Sequence, residues 1–146
     1  MSKPANPVEK TDTLQDQAMQ RSNTDNAPRS AIHQTLYSAD TFVQHDYLAG
    51  KNLPDIVHPQ EGQINWLHFV GINDVALLKH ALEPYGIHEL VIEDILSRKQ
   101  RPKIEDYGSY VFTAAQVYHY TSTGKLHSDQ VYVIIGKDFV LSFQQK

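Results

Sequence analysis

From residue 30 onward the apolar positions of the chain switch between two periods, and the switches mark its elements. Ala31 to Tyr37 and Thr41 to Leu48 read as strands joined by Ser38-Ala39-Asp40. Gly50 to Gly62 is polar, carries Pro54 and Pro59, and reads as a loop. Gln63 to Val70 alternates, with Ile64, Trp66, His68 and Val70 on one face and Leu67 and Phe69 on the other. Both faces are mostly apolar, which predicts a central strand covered on each side, with Trp66 largely buried.

The period then lengthens. Asn73 or Asp74 can cap a helix in which Val75, Leu78, Leu82 and Tyr85 recur at helical spacing, and Pro84 and Gly86 mark its end. A shorter helix is predicted from about His88 to Ser97, stopped by the basic turn that contains Pro102. From Lys103 the pattern returns to strands: a long one from Tyr107 to Tyr120, then Asp129 to Ile135 after a polar loop, then Phe139 to Phe143 after the tight turn Gly136-Lys137-Asp138. Strands, a helix pair and strands again predict an α/β layered domain. Its sheet would be mixed parallel and antiparallel, covered by helices, and would end in an antiparallel three-strand meander.

Composition divides the chain in two. Residues 1–29 hold four basic and four acidic side chains and almost no large apolar ones beyond Val8, Leu14 and Met19. Such a segment buries too little to offset its ordering entropy, so it is expected to be a disordered tail, with residues 30–146 forming one domain. The tail has no apolar run that would make a signal peptide. The domain carries nine basic and thirteen acidic residues, which argues against a nucleic-acid partner, because phosphate binding wants clustered positive charge. There is no cysteine, so disulfides, thiolate metal sites and cysteine nucleophiles are excluded. No run reaches the roughly 18 apolar residues of a membrane helix, and the chain as it stands is expected to be soluble.

The residues that can carry chemistry concentrate between His88 and Tyr107. Glu93 and Asp94 are adjacent acids in the short helix, and hard divalent cations such as Mg²⁺ take oxygen ligands of this kind. Neighbouring helical positions point about 100° apart, so the two acids serve two sites, or one site completed by another chain, more readily than they wrap one ion. On the residues alone they fit a solvated acidic face better, with Asp94 at ion-pair spacing from Arg98. Arg98 to Lys103 places four positive charges in six residues; these fit a phosphate, or simply offset Glu93, Asp94, Glu105 and Asp106. The eight histidines are scattered with no HxH or HxxxH pair, and position 92 is Ile where HExxH would need His. No phosphate-binding glycine loop or nucleophile elbow is present, and nothing points to an enzyme.

Four pieces of the chain, in order, resemble the cytosolic N-terminal domain of CorA-type magnesium and cobalt channels: Asn65 to Gly71, Tyr85-Gly86-Ile87-His88, Leu90 to Lys103, and the closing strands around Tyr110 to Phe112 and Phe139 to Gln144. The central piece is the most specific, because its Glu-Asp pair, its turn and its Gln-Arg-Pro-Lys keep their spacing. The resemblance implies a homopentameric membrane channel with this domain on the cytoplasmic face of the membrane. Long helices and two membrane segments would follow in the full-length protein, so this chain would be a piece cut before them. It further implies that Glu93 and Asp94 bind regulatory Mg²⁺ or Co²⁺ between adjacent subunits, and that there is no organic cofactor. Zinc transporters of ZntB type share the architecture and leave a zinc reading open, as does a free-standing soluble binding module of the same fold. Glu89 stands where the family often has Pro, which puts an extra acid beside the pair.

Overall fold

A computed structural model of the chain describes residues 30–50 and 52–145. The tail expected to be disordered, residues 1–29, lies outside the described residues. In chain order the elements are β1 (Ala31–Tyr37), β2 (Phe42–Leu48), β3 (Ile64–Val70), α1 (Val75–Leu82), a 3₁₀ turn (Glu83–Tyr85), α2 (Glu89–Ser97), β4 (Lys103–Asp106), β5 (Tyr110–Tyr120), β6 (Leu126–Gly136) and β7 (Phe139–Gln144). The seven strands form one sheet in the order β2-β1-β3-β7-β6-β5-β4. Only β3 and β7 run parallel; every other neighbouring pair is antiparallel. The mixed α/β sheet and the terminal meander β5-β6-β7 are as the pattern predicts.

The parallel pair follows from the helices. A chain that leaves β3 through α1 and α2 has crossed one face of the sheet, and it returns by way of the meander to lay β7 beside β3 in the same direction. Asp74 caps α1 by accepting a hydrogen bond from the Leu77 amide at 3.0 Å. Gly86, at φ 60°, turns the chain after the 3₁₀ segment. His88 then caps α2, its Nδ1 accepting from the Leu90 amide at 3.1 Å.

Leu77, Leu78, Ala81 and Leu82 of α1 and Val91 and Ile95 of α2 are buried against Leu67 and Phe69 of β3, Phe112 of β5, Tyr132 and Ile134 of β6, and Leu141 and Phe143 of β7. Each large side chain so buried contributes about 1.5–3 kcal/mol. Across the parallel pair the Phe69 and Phe143 rings stack at 4.7 Å between centroids. Two polar side chains, Gln34 and Asn65, each 1% exposed, sit inside this layer; Gln34 Nε2 donates to Val57 O at 2.7 Å and Asn65 Oδ1 at 3.0 Å while its Oε1 accepts from the Tyr47 hydroxyl at 2.9 Å.

Two expectations are corrected. β3 is not covered on both faces: its Asn65, Leu67 and Phe69 are buried under the helices, whereas Trp66 is 43% exposed. Trp66 anchors only its nitrogen, with Nε1 donating to Ser142 Oγ at 2.9 Å. A period of two says which residues share a face but not which face the helices take, and both helices here take the same one. The strand expected from Tyr107 to Tyr120 also begins later. Lys103–Asp106 forms its own strand, and a tight turn follows, with Gly108 at φ 81° and its amide donating to Asp106 Oδ1 at 2.8 Å.

Candidate functional site

Helix α2 buries Val91 and Ile95, which turns Glu93 out to solvent and leaves Asp94 at the edge of the helix–sheet seam. The two acids therefore have different surroundings. Among the described residues no hydrogen bond or ion pair reaches Glu93. The Asp94 side chain is 24% exposed; its Oδ2 accepts from Lys103 Nζ at 2.7 Å and its Oδ1 from Gln100 Nε2 at 2.9 Å. Lys103 also donates to Glu105 Oε1 at 3.0 Å and lies 5.5 Å from the centre of the Phe112 ring. Its hydrogen bond to Asp94 is the main reason its pKa is raised, with the bond to Glu105 adding to it.

The spacing from Asp94 to Arg98 fits a helix ion pair, but Asp94 pairs with Lys103 instead. Arg98 takes a left-handed backbone, φ 57°, at the end of α2, and this swings its guanidinium away from the helix. It donates to Ile72 O and to Asn73 Oδ1, both at 2.6 Å, and so ties the end of α2 to the entry of α1. The basic turn folds back over Asp94 instead. Gln100 is held there through its amide, which donates to Gln130 Oε1 at 3.0 Å, through its carbonyl, which accepts from Gln130 Nε2, and through Nε2 to Ser97 Oγ at 3.1 Å. Pro102 then sends Lys103 into β4, nine positions after Asp94 but in contact with it. The sequence named the turn as an electrostatic neighbour of the acids; it did not single out Lys103 and Gln100, because that contact exists only once β4 pairs with β5.

Chemically the arrangement is an acidic edge with its own counter-cation. Lys103 sits between Asp94 and Glu105, while Glu93 projects outward without compensation. Among the described residues no three His, Asp or Glu side chains stand placed to hold a metal ion, so Glu93 and Asp94 are not a closed site within one chain. Among the same residues no helix is long and apolar enough to cross a membrane.

Solved structures share the fold. It matches the CorA magnesium transporter from Methanocaldococcus jannaschii with a TM-score of 0.55 at 12% identity, covering 77% of this chain and 31% of that one. The full-length CmaX protein matches with a TM-score of 0.54 at 15% identity, covering 81% of this chain and 36% of that one. At the level of sequence, residues 61–146, more than half of the chain, match the family described as CorA-like Mg²⁺ transporter protein, and the chain belongs to that family. It is 40% identical over 82 residues to the cobalt/magnesium transport protein CorA of Thermotoga maritima, a stretch that makes up 56% of this chain and 23% of that relative. The chain thus spans about a quarter of the length of that relative. The family is one of transporters, in keeping with the expectation that the chain is not an enzyme.

Proposed function

We propose that this chain is the cytosolic, divalent-cation-sensing domain of a CorA-type Mg²⁺/Co²⁺ channel, and that Glu93 and Asp94 are its share of a regulatory site completed by acids of a neighbouring subunit in a homopentamer. The observation that carries the reading is the asymmetry of the two acids. Glu93 is solvent-facing and uncompensated, so a second acidic surface brought against α2 would be repelled unless a cation came between them. Asp94 is already held by Lys103 and Gln100, so it presents a carboxylate of fixed orientation beside Glu93. The relatives, a cobalt/magnesium transport protein and a magnesium transporter, support Mg²⁺ or Co²⁺ as the ion.

In this reading a filled site holds adjacent subunits together, and loss of the ion at low cytosolic Mg²⁺ loosens them and favours the conducting state. The ion shifts that equilibrium only by its differential affinity for the two states. The membrane-crossing parts, and the acids that complete the site, belong to regions of the full-length protein outside this chain. The isolated chain binds Mg²⁺ weakly, because two carboxylates leave most of the coordination sphere to water.

Flux through the full-length protein, measured against cytosolic Mg²⁺, tests the assignment. Glu93→Gln and Asp94→Asn are expected to move the inhibition curve to higher Mg²⁺, whereas Arg98→Ala, whose guanidinium contacts Ile72 and Asn73, leaves it nearly in place. An inhibition curve unchanged in both acid variants would overturn the role given to them.

A further inference from the structure

The two edges of the sheet are built differently. β4, at one edge, is four residues long, follows Pro102 and carries Lys103, Glu105 and Asp106. Short length, proline and charge are the means by which edge strands are kept from pairing with another chain. β2, at the other edge, is seven residues long, with no lysine, proline or glycine. Its end residues, Phe42 and Leu48, are each 66% exposed.

Strand register fixes which backbone groups the β2 edge presents. At the two ends of the β1–β2 pair, Ser38 N donates to Thr41 O at 2.9 Å and Ala49 N donates to Ser30 O at 2.8 Å. Hydrogen-bonded pairs alternate in an antiparallel ladder, so Val43, His45 and Tyr47 turn their N–H and C=O toward Leu36, Gln34 and Ile32 of β1. Phe42, Gln44, Asp46 and Leu48 turn theirs away from the sheet, and among the described residues no other group bonds to them. The edge is also self-complementary. A second β2 laid antiparallel about an axis through His45 sets Phe42 opposite Leu48 of the other copy and Gln44 opposite Asp46, all of them outward-facing positions. The apolar pairs cover the exposed ends of the strand, and the amide–carboxylate pairs oppose no like charges. Asp46 Oδ1 is taken by His33 Nδ1 at 2.6 Å, which leaves Oδ2 for the amide of Gln44 in the second copy. Sliding the strands by two residues one way sets Asp46 against its own copy, and the other way sets Phe42 against Asp46, so the side chains select one register.

We propose that β2 is an interaction surface for a second copy of this chain, joined edge to edge about a two-fold axis so that two seven-stranded sheets become one. Exchange of both bonds at the four outward pairs gives about eight backbone hydrogen bonds between the copies. The same patch meets itself and the contact closes, so it makes a dimer and not a filament. It lies at the edge of the sheet opposite β4, where Lys103 holds Asp94, and is therefore separate from the Glu93–Asp94 site and from the subunit contact proposed there. One strand pair buries little surface, which makes the association weak and reversible.

Sedimentation equilibrium of the 146-residue chain, from about 10 to about 500 µM to suit a weak interface, reads the association. The average mass is expected to rise from 16.6 kDa toward twice that value as concentration increases. Gln44→Pro removes an N–H that points out of the sheet and leaves the bonds to β1 in place, so the chain should fold while its dimer dissociation constant rises roughly tenfold or more. Phe42→Lys and Leu48→Glu should each weaken the dimer to a similar degree. The double variant Phe42→Lys/Leu48→Glu sets opposite charges across from each other at both ends and should regain most of the loss. Circular dichroism checks that every variant keeps the sheet signal of the parent. A chain that stays monomeric over the whole range overturns the proposal. Unchanged dimerisation in Gln44→Pro also overturns it, and is the result expected if copies meet through the open face around Trp66. A double variant that associates no better than the two single ones overturns the antiparallel register.

Discussion

Replacing Arg98 separates two energies that this one residue combines. Its backbone is left-handed, at φ 57°, a conformation that costs a non-glycine residue about 1 kcal/mol relative to glycine. Its guanidinium repays this with two hydrogen bonds at 2.6 Å, to the carbonyl of buried Ile72 and to Asn73 Oδ1, linking the end of α2 to the start of α1. A charged donor in such a bond contributes about 1.5–3 kcal/mol when buried, and less here because the Arg98 side chain is exposed and water can replace it at Asn73. A net loss of about 2 kcal/mol for Arg98→Ala follows, since alanine loses both bonds and keeps the unfavourable backbone. Arg98→Gly loses the same bonds but sheds the backbone cost, so its net loss is about 1 kcal/mol. With a melting shift of about 4 °C per kcal/mol for a domain of this size, the variants should melt about 8 °C and about 4 °C below the parent. Differential scanning calorimetry of the three proteins at pH 7.5 reads this directly. The reasoning fails if glycine is no more stable than alanine at this position, because the ordering rests on the left-handed backbone alone.

Two further outcomes follow from buried and half-buried groups. Gln34→Ala removes three hydrogen bonds and opens a cavity under β1, leaving Asn65 and Tyr47 short of a partner; a loss of about 2–4 kcal/mol in urea unfolding is expected, and a loss under 1 kcal/mol would contradict the network. For His68, burial and then the neighbouring His33 lower the pKa from its usual value, so below about pH 6.5 the unfolded chain binds a proton at this ring that the folded chain resists. The groups facing His68 are His33 on β1 and Ser142 on β7, with Asp46 beyond His33. Its contribution to stability is therefore present above about pH 6.5 and fades as the pH falls through that value toward the lower folded one. The urea midpoint should drop between pH 7.5 and 5.5, and His68→Gln should flatten that drop; an identical slope in the variant would rule His68 out as its source.

Much of the molecule was legible in the chain because local periodicity and capping are properties of a few neighbouring residues. Alternation delimited β1, β3 and β7 to within a residue, and the polar cap at Asp74 with Pro84 and Gly86 bracketed α1. The Glu93-Asp94 pair and the basic turn after it were visible for the same reason, and so was the family, whose signature is a contiguous run. What the chain could not reveal was every relation between residues far apart in order. Trp66 was assigned to the core because its strand is apolar on both faces, yet which face receives helices is settled only when α1 and α2 pack together on one side. Asp94 was matched to Arg98 by helical spacing, but the left-handed turn at Arg98 and the pairing of β4 with β5 hand Asp94 to Lys103 instead. His119, His127 and Asp129 look unrelated along the chain and become a cluster only through the register of β5 against β6. The physical division is between interactions whose range is one or two turns of backbone, which sequence order contains, and packing and strand register, which the energy of the whole core selects.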